Sequence, residues 1–287
     1  MIQGQISAEV VGTVRAPNLR RSLPALVMVF LLAGAATAAS QEEVPTTVQP
    51  VFDGWFRNPD GSFCLSFGYY SRSTDRVGEI PLGPNNFIEP AIFDGHQPTH
   101  FLPQPQDRGP GRGIRHWGVF TVRVPPDFGD REVRWTLRMN GRTFSVPGHV
   151  RHPNYEIDPL AVDTRRVEAP RLRLVANGPV GVGPDGVSAG PINAEVGAPL
   201  EVTAWADDET APPVTLRWFK HQGPGEVVFA SRQLPVDPAV GWAATDITFS
   251  EPGDYVLRVR ATNFATEFDR FCCWTNGYLA VSVSNPD

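Results

Sequence analysis

Hydrophobic and polar residues alternate most cleanly near the middle of the chain. There Val133, Trp135, Leu137 and Met139 are interleaved with Arg134, Thr136 and Arg138. A period of two with this contrast predicts a strand with one buried and one solvated face. Asn140-Gly141 follows at once and Arg142–Val146 returns, the pattern of a tight β-hairpin. Earlier, Val51–Phe56 and Phe63–Tyr70 flank Asn58-Pro59-Asp60-Gly61. In that turn Pro presets one dihedral and Gly accepts a positive φ, so a second hairpin is predicted. His116–Val124 is a further strand, rich in aromatic and β-branched residues. Pro81–Asn86 and Gln97–Gly113 read as loops.

The pattern resumes after a charged, Pro-containing stretch, Glu156–Ala169. Strands are predicted at Arg171–Ala176, Leu200–Ala206, Val214–Lys220, Glu226–Ala230, Thr245–Ser250, Asp254–Thr262 and Tyr278–Val283. Seven short strands separated by turn signals in so short a span fit an immunoglobulin-like sandwich. In such a sandwich Trp218 is the Trp buried on the third strand. Tyr255, after Pro252-Gly253-Asp254, is the tyrosine-corner residue. The expectation is an all-β protein of two antiparallel β-sandwich domains in tandem. The first spans residues 51–157, after a polar entry segment at 39–50. A linker at 158–169 leads to the second, at 170–287.

Composition agrees. The 287 residues include 27 Gly and 29 Pro, with 20% charged and 41% hydrophobic. That density of turn formers disfavours long helices, and the apolar content excludes disorder throughout. Formal charge is −6, and all but one of the 25 basic residues are Arg, the exception being Lys220. No basic footprint for nucleic acid exists. Arg15, Arg20 and Arg21 precede an apolar run, Leu23–Ala36, and the small-residue triplet Ala36-Thr37-Ala38. This order reads as a signal peptide over residues 1–38, cleaved to give an exported protein in the periplasm, at the cell surface or outside the cell. An uncleaved anchor is the alternative, for which the run is short. No later apolar stretch is long enough to span a bilayer.

Export permits disulfides. Cys64, Cys272 and Cys273 are the three cysteines, so at most one intramolecular bridge forms. A bridge from Cys64 to one of the pair, a vicinal bond and buried free thiols are the readings left open.

Leu200-Glu201-Val202-Thr203-Ala204, Pro213-Val214-Thr215-Leu216-Arg217-Trp218, Gly223–Phe229 and Thr248–Arg258, in that order and spacing, resemble the bacterial PKD-like modules. The likeness covers residues 170–285. It implies an extracellular immunoglobulin-fold module that acts as a spacer or interaction unit and is not catalytic. Phe268–Tyr278, with Cys272-Cys273-Trp274, departs from the short polar loop expected there. The first half, from Gly54–Gly61 through Gly83–Asn86 to Val146–His149, resembles uncharacterised exported bacterial proteins, a likeness that carries no activity.

Candidate chemistry is sparse. Asp207, Asp208 and Glu209 are consecutive carboxylates that supply part of a calcium site, or form a solvated turn. His96 and His100 lie four apart across Pro98, with His116, His149 and His152 elsewhere in the first half, which raises a metal-dependent hydrolase as one alternative. Neither H-E-x-x-H nor a P-loop occurs. Aromatics crowd the first half: Trp55, Phe56, Phe67, Tyr69, Tyr70, Phe87, Phe93, Phe101, Trp117 and Phe120. Exposed, they would stack on sugar rings. Trp55, Tyr69, Tyr70, Asn85, Asn86, His96, His100 and Trp117 are therefore the candidate ligand-binding residues. The leading expectation is a non-enzymatic interaction or envelope-structural protein whose partner is an extracellular protein or polysaccharide. Carbohydrate binding is the first alternative, and calcium is the one cofactor with a candidate site.

Overall fold

A computed structural model describes residues 46–104, 115–157, 168–207, 213–263 and 274–286. The expected leader (residues 1–38), most of the expected linker, Asp208, Glu209, Cys272 and Cys273 lie outside the described residues. Residues 44–287 form one compact unit. It is built from strands, with no α-helix among the described residues and therefore no helix long and apolar enough to cross a membrane.

In the first half, β1 (Val48–Arg57), β2 (Phe63–Ser71) and β6 (Arg115–Val124) make one antiparallel sheet. A second contains β4 (Asn86–Glu89), β7 (Val133–Met139) and β8 (Arg142–Gly148). A two-stranded ribbon, β3 (Gly78–Glu79) with β5 (His100–Phe101), accompanies them. Both predicted hairpins form. Gly61 has φ +85° and donates its amide to Asn58 O, and β1 pairs antiparallel with β2, with a register shift between Phe52 and Gly54. Asn140 and Gly141 have φ +49° and +69°, both left-handed, as a tight two-residue turn requires. The apolar side of the alternation read from Val133–Met139 holds, with Val133, Trp135 and Leu137 at 0% exposure. Thr136 on the expected solvated side is buried as well, its hydroxyl bonded to Ser145 Oγ at 2.8 Å. Val133, Trp135 and Leu137 join Leu65, Phe67, Phe101 and Phe120 in one core cluster drawn from both sheets and the ribbon.

The second half is immunoglobulin-like on its own topology. One sheet runs β10 (Val187–Glu195), β17 (Trp274–Ser284), β16 (Gly253–Asn263), β12 (Val214–Gln222), β14 (Gln233–Pro235). The other runs β13 (Val227–Phe229), β15 (Trp242–Phe249), β11 (Leu200–Asp207), β9 (Arg171–Arg173). Between them lies a core that includes Leu216, Trp218, Ile247, Phe249, Leu257 and Leu279. Trp218 is fully buried on β12. The Tyr255 hydroxyl donates to Glu251 O at 2.8 Å, four residues upstream, and accepts from Gly225 N at 3.1 Å. All seven strands predicted for this half are present.

Two strands of this half were not predicted. The Gly190-Pro191 pair and a polar, half-exposed pattern hide β10, which pairs parallel with β17, with a register shift between Ala189 and Ile192. The other, β14, is only three residues long. The predicted loops of the first half likewise hold β4 at its start and β5.

Candidate functional site

The outer face of the β10–β17–β16–β12–β14 sheet is where the two sandwiches meet. On β16 the odd residues Leu257, Val259 and Ala261 point into the core. By strand alternation Arg258 and Arg260 point the other way. Cα register aligns Phe219, Arg258 and Tyr278 in one row across this face. The first sandwich covers the row with the β6 segment around Gly118. Arg258 Nη1 donates to Gly118 O and Val119 O at 3.4 and 3.2 Å, and Tyr278 Oη to Val119 O at 3.1 Å. Asn276 Nδ2 bridges Gly118 O and Pro184 O at 2.9 and 3.0 Å. Gly118 has φ +52°, and a Cβ there would meet Trp274 Cζ2 at 2.5 Å, so glycine is what lets the strand lie on that indole.

Other bonds extend the seam. Thr121 Oγ1 donates to Asp185 Oδ1 at 2.7 Å, and Thr99 N to His221 O at 2.9 Å. Gln222 Nε2 reaches Gly95 O and Gln97 O at 2.8 and 2.7 Å, and His221 Nε2 donates to His96 O at 2.9 Å. Lys220, the single lysine, is buried with its ammonium on Glu79 Oε1 (3.2 Å), Pro224 O (2.8 Å) and Gly225 O (2.7 Å). An ammonium offers three donors, and here all three are taken. Glu79 also holds His100 Nδ1 at 2.6 Å.

Burial dominates the electrostatics. It pushes the His221 pKa down to about 3, with Arg258 adding to the effect, so the ring is neutral at physiological pH. It lowers the Arg258 pKa and raises that of Tyr278. Arg258 lies over the Phe219 ring at 4.6 Å, while its Nε, also buried, has no partner among the described residues. On the first-sandwich side of Gly118, Asp53 accepts its amide at 2.8 Å and pairs with Arg115. Burial nonetheless raises the Asp53 pKa to about 6.

Two depressions open along the seam. A cleft of about 480 Å³ is lined from the first sandwich by Ile92, Phe93, His96, Phe120 and Arg123, among others, and from the second by Asp185, Ser188, Ala189, His221, Val256, Tyr278 and Ala280. A groove of about 610 Å³ lies beside β13, with Glu79, His100 and Lys220 in its wall. Their size and mixed lining suit a bound group.

Three of the candidate ligand-binding residues have structural roles instead. Trp55 is buried and donates Nε1 to His152 O at 3.1 Å. Tyr69 is buried, stacks on His116 at 4.5 Å, and its hydroxyl accepts from Leu102 N. Asn86, at 0% exposure, donates to Ile80 O and Pro98 O and accepts from Trp135 Nε1. Such side chains have no free face for a sugar. Their ring systems fill the core because β-sandwich interiors this aromatic pack by edge and stacked contacts. Tyr70 and Trp117 are half-buried, with the Arg115 guanidinium between them at 5.6 and 3.3 Å from their rings. Asn85 is exposed, and its carbonyl accepts from Arg138 N. Tyr155 is the sole large aromatic exposed in the first half among the described residues, so the planar row that sugar stacking needs is not formed there.

His96 lines the cleft and His100 the groove. His116 bonds to Pro103 O, and His149 lies beside His152 with its pKa lowered by burial. Among the described residues no three His, Cys, Asp or Glu side chains gather as metal ligands. Asp207 is half-exposed at 3.7 Å from Arg171. Cys64 is a buried free thiol that accepts from Asn58 Nδ2 at 3.2 Å, with burial raising its pKa to about 12.

The cleft also contains a motif that sequence reasoning passed over. Gly186-Val187-Ser188-Ala189-Gly190 matches G-x-S-x-G, and Ser188 lines the cleft. A nucleophile elbow needs a strand, a sharp turn and a helix. Ser188 instead sits inside β10, opposite Tyr278. His221, in the same wall, has its Nε2 on a carbonyl and too low a pKa to act as a base.

No family model matches the chain, and no curated protein matches it. Among solved structures it is similar to the D00-D0 domain of intimin (11% identity, TM-score 0.27, covering 83% of this chain and 100% of that one). It is also similar to fibronectin(III)-like modules of Clostridium thermocellum CbhA (11%, TM-score 0.25, covering 84% and 95%). A third is the ASH/PapD-like domain 7 of human CEP192 (11%, TM-score 0.29, covering 48% and 96%). At these scores none of them bears on what this chain binds.

Proposed function

We propose that this is an exported, non-enzymatic interaction protein, with a PKD-like second sandwich fixed against the first, and that it binds a partner protein in the cleft between them. The observation that carries the proposal is Ile92. It stands 83% exposed at the mouth of a cleft whose other side offers Ala189, Val256 and Ala280. A single exposed aliphatic residue is ordinary, but here Ile92 lines the same cleft as Phe93, Ala189, Val256 and Ala280, an apolar group rimmed by polar residues of the kind that marks interaction sites. Because both sandwiches contribute walls, the seam bonds hold the cleft in one shape, which limits the entropy lost on binding. Ser188 and Asp185 supply polar contacts at its edge. The leader read at residues 1–38 supports export, and the three PKD-like blocks, Leu200–Trp218, Gly223–Phe229 and Thr248–Arg258, support the module assignment.

The test is capture from the host's own exported fraction with the full chain as bait. Wild type is expected to retain a defined protein that Ile92→Glu and Ala280→Trp both lose, with unchanged melting temperatures. Equal capture by both variants would overturn the cleft assignment. Turnover of chromogenic esters abolished by Ser188→Ala would overturn the non-enzymatic one.

A further inference from the structure

We infer that the groove beside β13 is a strand-accepting site for an extended, basic peptide segment of a partner protein. The site is independent of the cleft around Ile92.

The edge strand carries the argument. β13 lies at the end of its sheet, with β15 on one side only. Ala230 N donates to Asp246 O at 2.9 Å and Ser250 N to Glu226 O at 3.1 Å. Antiparallel pairing alternates, so the backbones of Glu226, Val228 and Ala230 face β15 while those of Val227 and Phe229 face outward. Their N–H and C=O groups thus form an open ladder along a groove of about 610 Å³. Natural edges are usually blunted by shortness, a charge, a proline or a cover, and β13, three residues long with Glu226 just before it, offers only a short ladder. Here the strand reads Val227-Val228-Phe229, and Val228 is 60% exposed. The opposite wall adds Val77, 41% exposed, and Leu102. An added strand would therefore find hydrogen-bonding groups on one side and apolar contact on the other.

Charge selects the guest. Glu226 and Glu251, both exposed, line the groove, and Glu79 stands in its far wall. Lys220 lies beneath with its ammonium already committed to Glu79 and two carbonyls. Arg232, whose guanidinium lies 5.0 Å over the Phe229 ring, is an opposing cation in the lining that pairs with no carboxylate among the described residues. A basic strand with small apolar residues between its charges fits this wall. A second copy of the chain would bring the same Glu226 and Glu251 to the interface.

The test uses the full chain and a fluorescein-labelled peptide of sequence Lys-Val-Thr-Val-Lys-Val, followed by anisotropy. The expected result is saturable binding that weakens at least tenfold when alternate amides of the peptide are N-methylated. Val228→Lys is expected to weaken it similarly, and Glu226→Gln with Glu251→Gln severalfold. Ile92→Glu is expected to leave it unchanged, which separates this site from the cleft. Equal binding of the N-methylated peptide, or of a Glu-Val-Thr-Val-Glu-Val control, would overturn the inference, as would absence of binding at millimolar peptide. So would dimerisation of the chain through this edge, seen by light scattering and abolished by Val228→Lys.

Discussion

His221→Gln should remove one acid-sensitive contribution to the stability of the seam. In the folded chain His221 is buried, and its pKa is pushed down to about 3. In the unfolded chain it returns to the ordinary value near 6.5. A depressed folded pKa means stability present at neutral pH and lost as pH falls below the unfolded value, because the unfolded state alone takes up the proton. The loss grows by about 1.4 kcal/mol per pH unit, reaching roughly 3 kcal/mol at pH 4.5. Asp53 acts in the opposite sense. Its pKa is raised to about 6, so its contribution is full below the unfolded carboxylate value and disappears as pH rises through 6. Between pH 7.5 and 4.5 that returns about 2 kcal/mol, and His149, whose pKa burial lowers, adds a loss of its own, so the wild-type pH profile alone does not isolate His221. The informative quantity is the difference between wild type and His221→Gln, in which the Gln amide still reaches His96 O but does not titrate. Urea unfolding at half-unit pH steps measures it. The variant's deficit relative to wild type should shrink by about 3 kcal/mol from pH 7.5 to 4.5. A deficit constant to within about 0.5 kcal/mol would show that His221 titrates normally and is not buried in the seam.

Further outcomes follow from the same contacts. Lys220→Met strands Pro224 O and Gly225 O, and should lower stability by about 2–5 kcal/mol in urea titration; a loss below 0.5 kcal/mol would contradict the bonding described. Gly118→Ala places a Cβ against Trp274 at a positive φ, and should cost about 2–4 kcal/mol and shift Trp fluorescence. Cys64 should resist alkylation in the native chain when peptides are mapped by mass spectrometry, and react on unfolding. Ser188 should not be labelled by a fluorophosphonate probe, since the one imidazole beside it on the second-sandwich wall, His221, has its Nε2 committed to His96 O.

The strands were legible because local chemistry decides them. Alternation marked β7, and Asn140-Gly141 and the Pro59–Gly61 turn set the registers that the hairpins adopt. The seam was not legible for a related reason. Arg258, Arg260, Asn276 and Tyr278 lie on the polar side of alternating strands, and polar alternation reads as a solvated face. Tertiary docking buries much of that face against backbone carbonyls of β6, which carry no side-chain signature. The aromatics misled in the opposite direction: composition shows that Trp55 and Tyr69 are present, but not that their rings close a core. Lys220 did have a signal, as the one lysine in an arginine-rich chain, where a compact three-donor cation was needed. Recognising it required Glu79, which lies 141 residues away.

The account rests on the two sandwiches being one locked body. Native-state hydrogen exchange tests that most directly. Amides of Leu137 in the first core, Leu257 in the second and Thr99, which donates across the seam to His221 O, should exchange through one global opening, with the same free energy. If Thr99 or one whole sandwich opens several kcal/mol more easily than the other, the seam is not the fixed structure on which the cleft depends.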